Sequence, residues 1–423
     1  MNTLFLLDAG LNIFGVMIAN AGYTVGQVLF EVPTGVIADT VGRRVSYLLS
    51  VAIVFASTVL YLVFGTMHAG VVPFVLASML LGLGFTFYTG AVDAWMVDAL
   101  ETVGYKGRVD TIFARGGIAF GVAMIIGTTG GGLLGQLNLG YPYIARAVLL
   151  VPAFLLGLLA MKELGFHGRP LRLSTFGAET RKIARAGITY GVRNPVVRPL
   201  MLSSFVVGTF FIFGFYSWQK YFLDLLDKNL VWVNGVIAAL VGLSGIAGNA
   251  LVGRVSRRGV PRVTVLYAAV VCFAAGAVLA AVFQNFWAAV PLYLVSTLAF
   301  GVWSPVKQGW LNDRIPGAQR ATIISLDSLF MDAGGTVGQL GLGYYAKVVS
   351  IPAAWLVGGA FQLVSLPLAW RAARADRLSG EPVTPPGPSA EPQPAPTPLG
   401  PVGCPEPECE AALPEKDQAR DTA

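Results

Sequence analysis

Long stretches of this 423-residue chain contain no Asp, Glu, Lys or Arg, among them 45–92, 116–145, 199–219, 229–253, 263–306 and 348–370. The longest runs for 48 residues and the next for 44, each interrupted near its middle, by Gly65 to Gly70 in one and Gln284-Asn285 in the other. About 20 apolar residues cross a bilayer core as a helix, so each long run reads as a hairpin of two spanning helices. A transmembrane barrel needs short strands of alternating polarity, and these runs are apolar throughout. Only 12% of the residues are charged. Soluble domains carry roughly 25%, so the polar coat is too thin for a soluble chain of this length. Cys272, Cys404 and Cys409 are too few and too scattered for a disulfide framework.

The expected fold class is therefore an all-α polytopic membrane protein. Eleven full spans are expected near 11–37, 45–65, 71–98, 111–136, 144–162, 199–225, 231–253, 262–283, 286–311, 320–346 and 350–371. One set of alternate loops holds 18 Lys and Arg, while the opposite set offers Arg146, Lys228 and Lys347. Cations are retained on the cytoplasmic side, which orients the chain and puts its C-terminus inside. The net charge of +6 is accounted for by this topology, and no nucleic-acid partner is expected.

Four segments follow: a bundle at 1–163, a linker at 164–198, a second bundle at 199–372 and a tail at 373–423. The linker is strongly basic, and its part from Thr180 to Tyr190 has the pattern of an amphipathic helix lying on the inner leaflet. The tail holds 12 of the 25 prolines and cannot bury a core, so disorder is expected there. Cys404 and Cys409 lie in it with too few ligands for a metal, and neither metal nor cofactor is expected.

The two bundles read as a repeat. Trp95-Met-Val-Asp98 falls on Trp310-Leu-Asn-Asp313 with a shift of 215, and the basic turn after Gly35 falls on the one after Gly253 with a shift of 218. The small-residue cluster Gly127-Thr-Thr-Gly130-Gly131-Gly132 falls near Gly334-Gly335-Thr-Val-Gly338. Parallel repeats of this kind place a substrate site between the halves, near the midplane. Gly127, Gly131 and Gly132 are expected to serve helix packing.

The sharpest local motif is Pro33-Thr-Gly35-Val-Ile-Ala-Asp39-Thr-Val-Gly42-Arg43-Arg44. Gly35 is expected to let two helices approach, Gly42 to make the turn, and Asp39 to sit against a helix N-terminus. Here the sequence resembles the major facilitator superfamily of secondary transporters. The segment from Gly35 to Arg44 is similar to its signature loop, and Thr-Gly-Ala-Val-Asp-Ala-Trp-Met-Val-Asp at 89–98 to the fourth helix of its bacterial exporter-like members. The resemblance implies two pseudo-symmetric six-helix bundles, a central cavity and alternating access. It further implies a latch in which Asp39 braces a helix of the other half and Arg43 pairs with Asp98, together locking the outward-open state. In the second half Arg257 stands where the Asp would be, leaving Asp313 and the basic turn. The cluster at Gly127 to Gly132 is also similar to the fifth-helix motif of proton-coupled exporters, with Thr in place of its Pro.

Ionisable groups inside spans are functional candidates because their burial is costly. Asp93 reads equally as a cavity residue or a structural one. Glu31 caps backbone freed by Pro33 or carries a proton, and Arg115 lines the cavity or snorkels. Lys307 and Asp327 lie in helices the family uses around its cavity, and Asp327 and Asp332 lie on different faces of one helix. Tyr88, Phe215 and Trp303 stand for an aromatic lining suited to amphipathic compounds. No phosphate-binding loop of the Gly-x-x-x-x-Gly-Lys-Ser/Thr type occurs, and no Asp-rich helix end as a membrane prenyl transferase needs. The expected function is proton-coupled efflux of a small organic compound from the cytoplasm. A sugar or metabolite importer, a membrane-embedded enzyme and an inactive truncated transporter are the alternatives. Expected partners are that substrate, protons and the lipid bilayer, with the chain a monomer. Finally, only ten residues precede the second family helix, so the first is expected to be a stub and the natural start to lie upstream.

Overall fold

A computed structural model of the chain describes residues 1–89, 91–164, 185, 188–228, 230–316 and 320–378, except for the side chains of Val32, Asp39, Asp110 and Ala321. Every regular element among them is helical. The first half comprises α1 (Asn2–Asp8), α2 (Ile13–Val41), α3 (Arg43–Thr66), α4 (Val71–Tyr88), α5 (Ala91–Thr102), α6 (Val109–Leu137) and α7 (Tyr141–Leu159). The second comprises α8 (Val197–Leu226), α9 (Val231–Arg257), α10 (Arg262–Phe283), α11 (Phe286–Asp313), α12 (Arg320–Val348), α13 (Ile351–Phe361), a 3-10 turn (Gln362–Val364) and α14 (Ser365–Leu378).

Among the described residues, ten helical segments are long and apolar enough to cross a membrane, with α4–α5 and α13–α14 each counting as one. The eleventh, α12, is 29 residues long. It carries Asp327, Asp332 and Lys347, which lowers its apolar character without shortening it. Two boundaries differ from expectation. The third expected span, at 71–98, is two helices, because Thr89 leaves the helical region at φ −62° and ψ 128°. The last helix continues to Leu378, beyond the boundary expected at 372. Alanine and arginine dominate 371–377, and both are good helix formers. Of the expected linker helix, only Arg185 and 188–190 are described, and 188–193 are helical. The tail beyond 378 lies outside the described residues.

The packing repeats along the chain. In the first half α3 packs on α4 and α7, and α2 packs on α4; in the second α10 packs on α11 and α13, and α9 packs on α11. Between the halves α6 lies along α9, and α2 along α12. Lipid tails are as apolar as leucine, so close packing and hydrogen bonds hold such helices together. A cluster of Tyr61, Phe74, Tyr143 and Phe5 fills one end of the first half. Phe210, Phe222, Tyr293 and Trp355 centre a larger one in the second.

Candidate functional site

Gly42 ends α2 and opens α3 at φ +126°, a conformation that disfavours a side chain. The turn exposes the first backbone N–H groups of α3, and a carboxylate occupies them. Glu163 accepts from the Arg43 amide at 2.6 Å through Oε1 and from the Arg44 amide at 3.0 Å through Oε2. The positive end of the helix favours this charge. Arg44 donates to the Leu158 carbonyl at 2.5 Å, and Trp95 Nε1 donates to the Lys162 carbonyl at 2.7 Å. The start of α3 is thus tied to the end of α7. Arg43 Nε lies 3.9 Å from Asp98 Oδ2. The Asp39 side chain lies outside the described residues. Gly35 is a correction: a Cβ there would meet nothing within 4 Å, so no described helix presses on it.

The second half holds matching ties. Arg262 donates to Asp313 at 2.5 Å, and Arg314 Nε pairs with Asp376 Oδ1 at 2.6 Å. Trp310 Nε1 donates to Asp376 at 3.3 Å. Glu163 and Asp376, which the sequence reading did not single out, stand 213 residues apart, close to the shift of 215 that relates Trp95 to Trp310. Their signal was a lone acid, four residues past the end of α7 in one half and near the end of α14 in the other.

Lys307 of α11 and Asp327 of α12 form an ion pair whose side chains are 3% and 2% exposed. Ser204 of α8 stands between them. Lys307 Nζ donates to Ser204 Oγ at 2.7 Å, and Ser204 donates to Asp327 Oδ1 at 2.6 Å. Gln308 Nε2 adds a bond to Asp327 Oδ2 at 3.1 Å, and the ammonium lies 5.2 Å from the centre of the Trp303 ring. Three helices therefore meet at one charged pair. Asp327 accepts three bonds, the degree of satisfaction a buried carboxylate requires. Ser204 and Gln308 were not foreseen; an ordinary Ser and Gln carry no signal until their helices are placed.

The remaining candidates do not join that cluster. Glu31, Asp93, Arg115 and Tyr88 are exposed, on α2, α5, α6 and α4. Lys307 and Asp327 are buried among α8, α11 and α12. Glu31 is in electrostatic range of Asp332 across the α2–α12 contact. Gly127 and Gly131 correct the packing expectation: added Cβ atoms would meet nothing within 4 Å, because no described helix covers that face of α6. Gly132 fits it. Its Cβ would lie 2.7 Å from Gly235 Cα and 2.9 Å from the Trp232 carbonyl, so glycine lets α6 and α9 cross closely.

Contacts between the halves gather at the end opposite the basic turns. Gly132 meets Gly235, Gln136 accepts from the Trp232 amide at 3.3 Å, and Phe14 meets Tyr344 edge-on at 5.5 Å. Toward the basic end, residues 113–120 of α6 are all exposed, and eight consecutive helical residues cover every face. Arg43–Asp98 is intact in this arrangement, so the pair ties together one bundle and does not by itself close the basic end. Below the contacts lies a cavity of about 590 Å³, bordered by Phe85 and Phe215 and by Arg146 and four tyrosines. Arg146, grouped with the loop cations in the sequence reading, is the sixth residue of α7.

A sequence model of the Major Facilitator Superfamily matches residues 2–338. The chain is 29% identical over 355 residues to the class G tetracycline resistance protein of Vibrio anguillarum, covering 81% of this chain and 84% of that one. It is 27% identical over 369 residues to the class C tetracycline resistance protein of Escherichia coli, covering 85% and 87%. Among solved structures, the nucleoside transporter NupG superposes with a TM-score of 0.69 at 14% identity, covering 89% of this chain and 93% of that one. The repeated packing, the tied basic turns, the cavity between the halves and these likenesses lead to one assignment: the chain belongs to the Major Facilitator Superfamily and is a multi-pass membrane transporter.

Proposed function

We propose that the chain exports a small amphipathic organic compound from the cytoplasm in exchange for protons, with compounds of the tetracycline type as the first candidates. Resistance conferred by a membrane transporter calls for removal of the compound, and the tetracycline resistance proteins resemble this chain over most of both lengths. The observation that carries the coupling is the buried Lys307–Asp327 pair. Protonating Asp327 neutralises the carboxylate and leaves Lys307 without its counter-charge in a water-poor site, a change that favours a rearrangement of α8, α11 and α12. Deprotonation restores the pair. A proton on one side and its loss on the other thereby alternate two packings of the second half.

The loop cations support placing the basic end in the cytoplasm, which makes this conformation the one that admits substrate from inside. Arg43–Asp98 and Arg262–Asp313 serve as ties that keep each bundle rigid while the halves rock, with Gly42 fixing the turn. Everted membrane vesicles containing the protein, energised to an acidic interior, are expected to accumulate radiolabelled tetracycline and to release it when nigericin collapses the pH gradient. Accumulation indifferent to nigericin, or no greater than in vesicles lacking the protein, contradicts the reading.

A further inference from the structure

Gln308 gives one end of its amide to Asp327 and leaves the other unused. Nε2 donates to Asp327 Oδ2 at 3.1 Å, while Oε1 is buried and has no hydrogen-bond partner among the described residues. Asn312 lies one turn further along α11, and its Oδ1 is likewise buried and without a partner there. Both oxygens are already enclosed by the described residues, so what reaches them comes from their own surroundings. A buried acceptor without a donor is costly, and two of them four residues apart on one helix call for an explanation. Side chains at that spacing are neighbours, and Gln with Asn is a pair that bonds there. Two oxygens cannot bond each other, however, and the Gln308 NH2 group is turned to the carboxylate.

We propose that Gln308 is a positioning residue that follows the proton on Asp327 by turning its amide over. With Asp327 ionised, Nε2 faces the carboxylate, as in this structure. When a proton from water adds to Oδ2, the carboxyl becomes a donor and needs an acceptor. The turned amide supplies Oε1 to that new O–H and brings Nε2 to Asn312 Oδ1, so both unpaired oxygens gain a donor. No other covalent bond forms or breaks, and Lys307 keeps its bond to Ser204. Asn312 immediately precedes Asp313, the acid held by Arg262, so the turnover carries the state of Asp327 to the basic end of α11. The other groups around Asp327 leave this exchange to Gln308. Lys307 contacts it from α11, and α8 presents the uncharged Ser204. α13 has no ionisable side chain, and α2 brings Glu31 into range of Asp332, about 140° around α12 from Asp327. The helix at 188–193 sets Gly191 against Leu326 and keeps Arg193 exposed. As a step in proton coupling, the turnover rests on the export reading above.

The test is an infrared difference titration of the full chain in nanodiscs of neutral lipid, reading the carboxylic acid band that Asp327→Asn lacks. Asn312 Oδ1 bonds Gln308 only while Asp327 is protonated, so Asn312→Leu is expected to weaken that state alone. The midpoint of the band is expected to fall by roughly half to one pH unit, the worth of one hydrogen bond. Asn312→Gln, which keeps an amide oxygen, is expected to stay closer to the wild type. In a Gln308→Leu background the Asn312→Leu step is expected to move the midpoint no further, because its effect passes through Gln308. Should Asn312→Leu fail to fold, Asn312→Ala takes its place in both backgrounds. A midpoint indifferent to Asn312 overturns the proposal, as does an equal shift in both backgrounds or the absence of any Asp327 band. The vesicle experiment separates this from the export reading. An Asn312-sensitive midpoint without proton-driven accumulation keeps the role of Gln308 and removes the exporter, and accumulation with an indifferent midpoint does the reverse.

Discussion

Lys307 and Asp327 are held where neither can be hydrated, so each depends on the other. Removing one partner of a buried pair costs about 3–5 kcal/mol, because the survivor keeps its charge in the same apolar place. Lys307→Met alone is therefore expected to lower the thermal midpoint in detergent sharply. Replacing both residues, Lys307→Met with Asp327→Leu, is expected to recover most of that loss while proton-driven transport stays absent. A double variant as unstable as the single one would show that the pair is not a unit. Glu163 tests a different residue-scale claim, that a carboxylate on the first turn of α3 keeps the basic turn fixed to α7. Loss of a helix cap costs about 0.5–2 kcal/mol, so Glu163→Ala is expected to lower stability by that order. Its turnover is expected to fall more than its substrate affinity, since Glu163 is remote from the cavity. Transport rates and equilibrium binding on the same preparation check this.

Among the elements, the crossing of α6 and α9 is the most sensitive contact between the halves, because backbone meets backbone at Gly132 and Gly235. Overpacking costs about 1–3 kcal/mol, enough to shift a balanced equilibrium by roughly fivefold to a hundredfold toward the state in which this contact is broken. In a cysteine-free background, a cysteine at Gly127 is expected to react with an impermeant maleimide from the basic side, and Gly235→Leu to slow that reaction several-fold. Equal labelling with and without Gly235→Leu would place the gate elsewhere. The helices themselves were legible in the sequence, because a bilayer leaves no other way to satisfy the backbone of a 48-residue run without charge. The break at Thr89 was not, since a Thr-Gly pair inside an apolar run is also tolerated in a continuous helix. Lys307 and Asp327 were each visible as unusual, but their pairing depends on α8 bringing Ser204 between them. Arg146 was misassigned to a loop because it lies only five positions after Tyr141, within the uncertainty of any span boundary read from charge. Gly127, Gly131 and Gly132 show the same limit: small residues announce a possible close approach, and only the tertiary arrangement says which of them is used.

At the scale of the whole molecule, two bundles with matching internal packing meet near one end and separate toward the other, and charged ties hold each bundle at its basic end. Such a body has a natural second state, in which the basic ends meet and the α6–α9 and α2–α12 contacts open. What converts a two-state body into a pump is coupling, and the coupling assigned to Asp327 has a direct readout. Proteoliposomes holding the protein and an entrapped pH dye are given a tetracycline gradient with no imposed pH difference. Proton-coupled exchange requires the dye to report protons moving against the direction of the tetracycline, and Asp327→Asn to abolish that signal while still binding the compound. Tetracycline movement without any proton movement in the wild type, or an undiminished proton signal in Asp327→Asn, would contradict it.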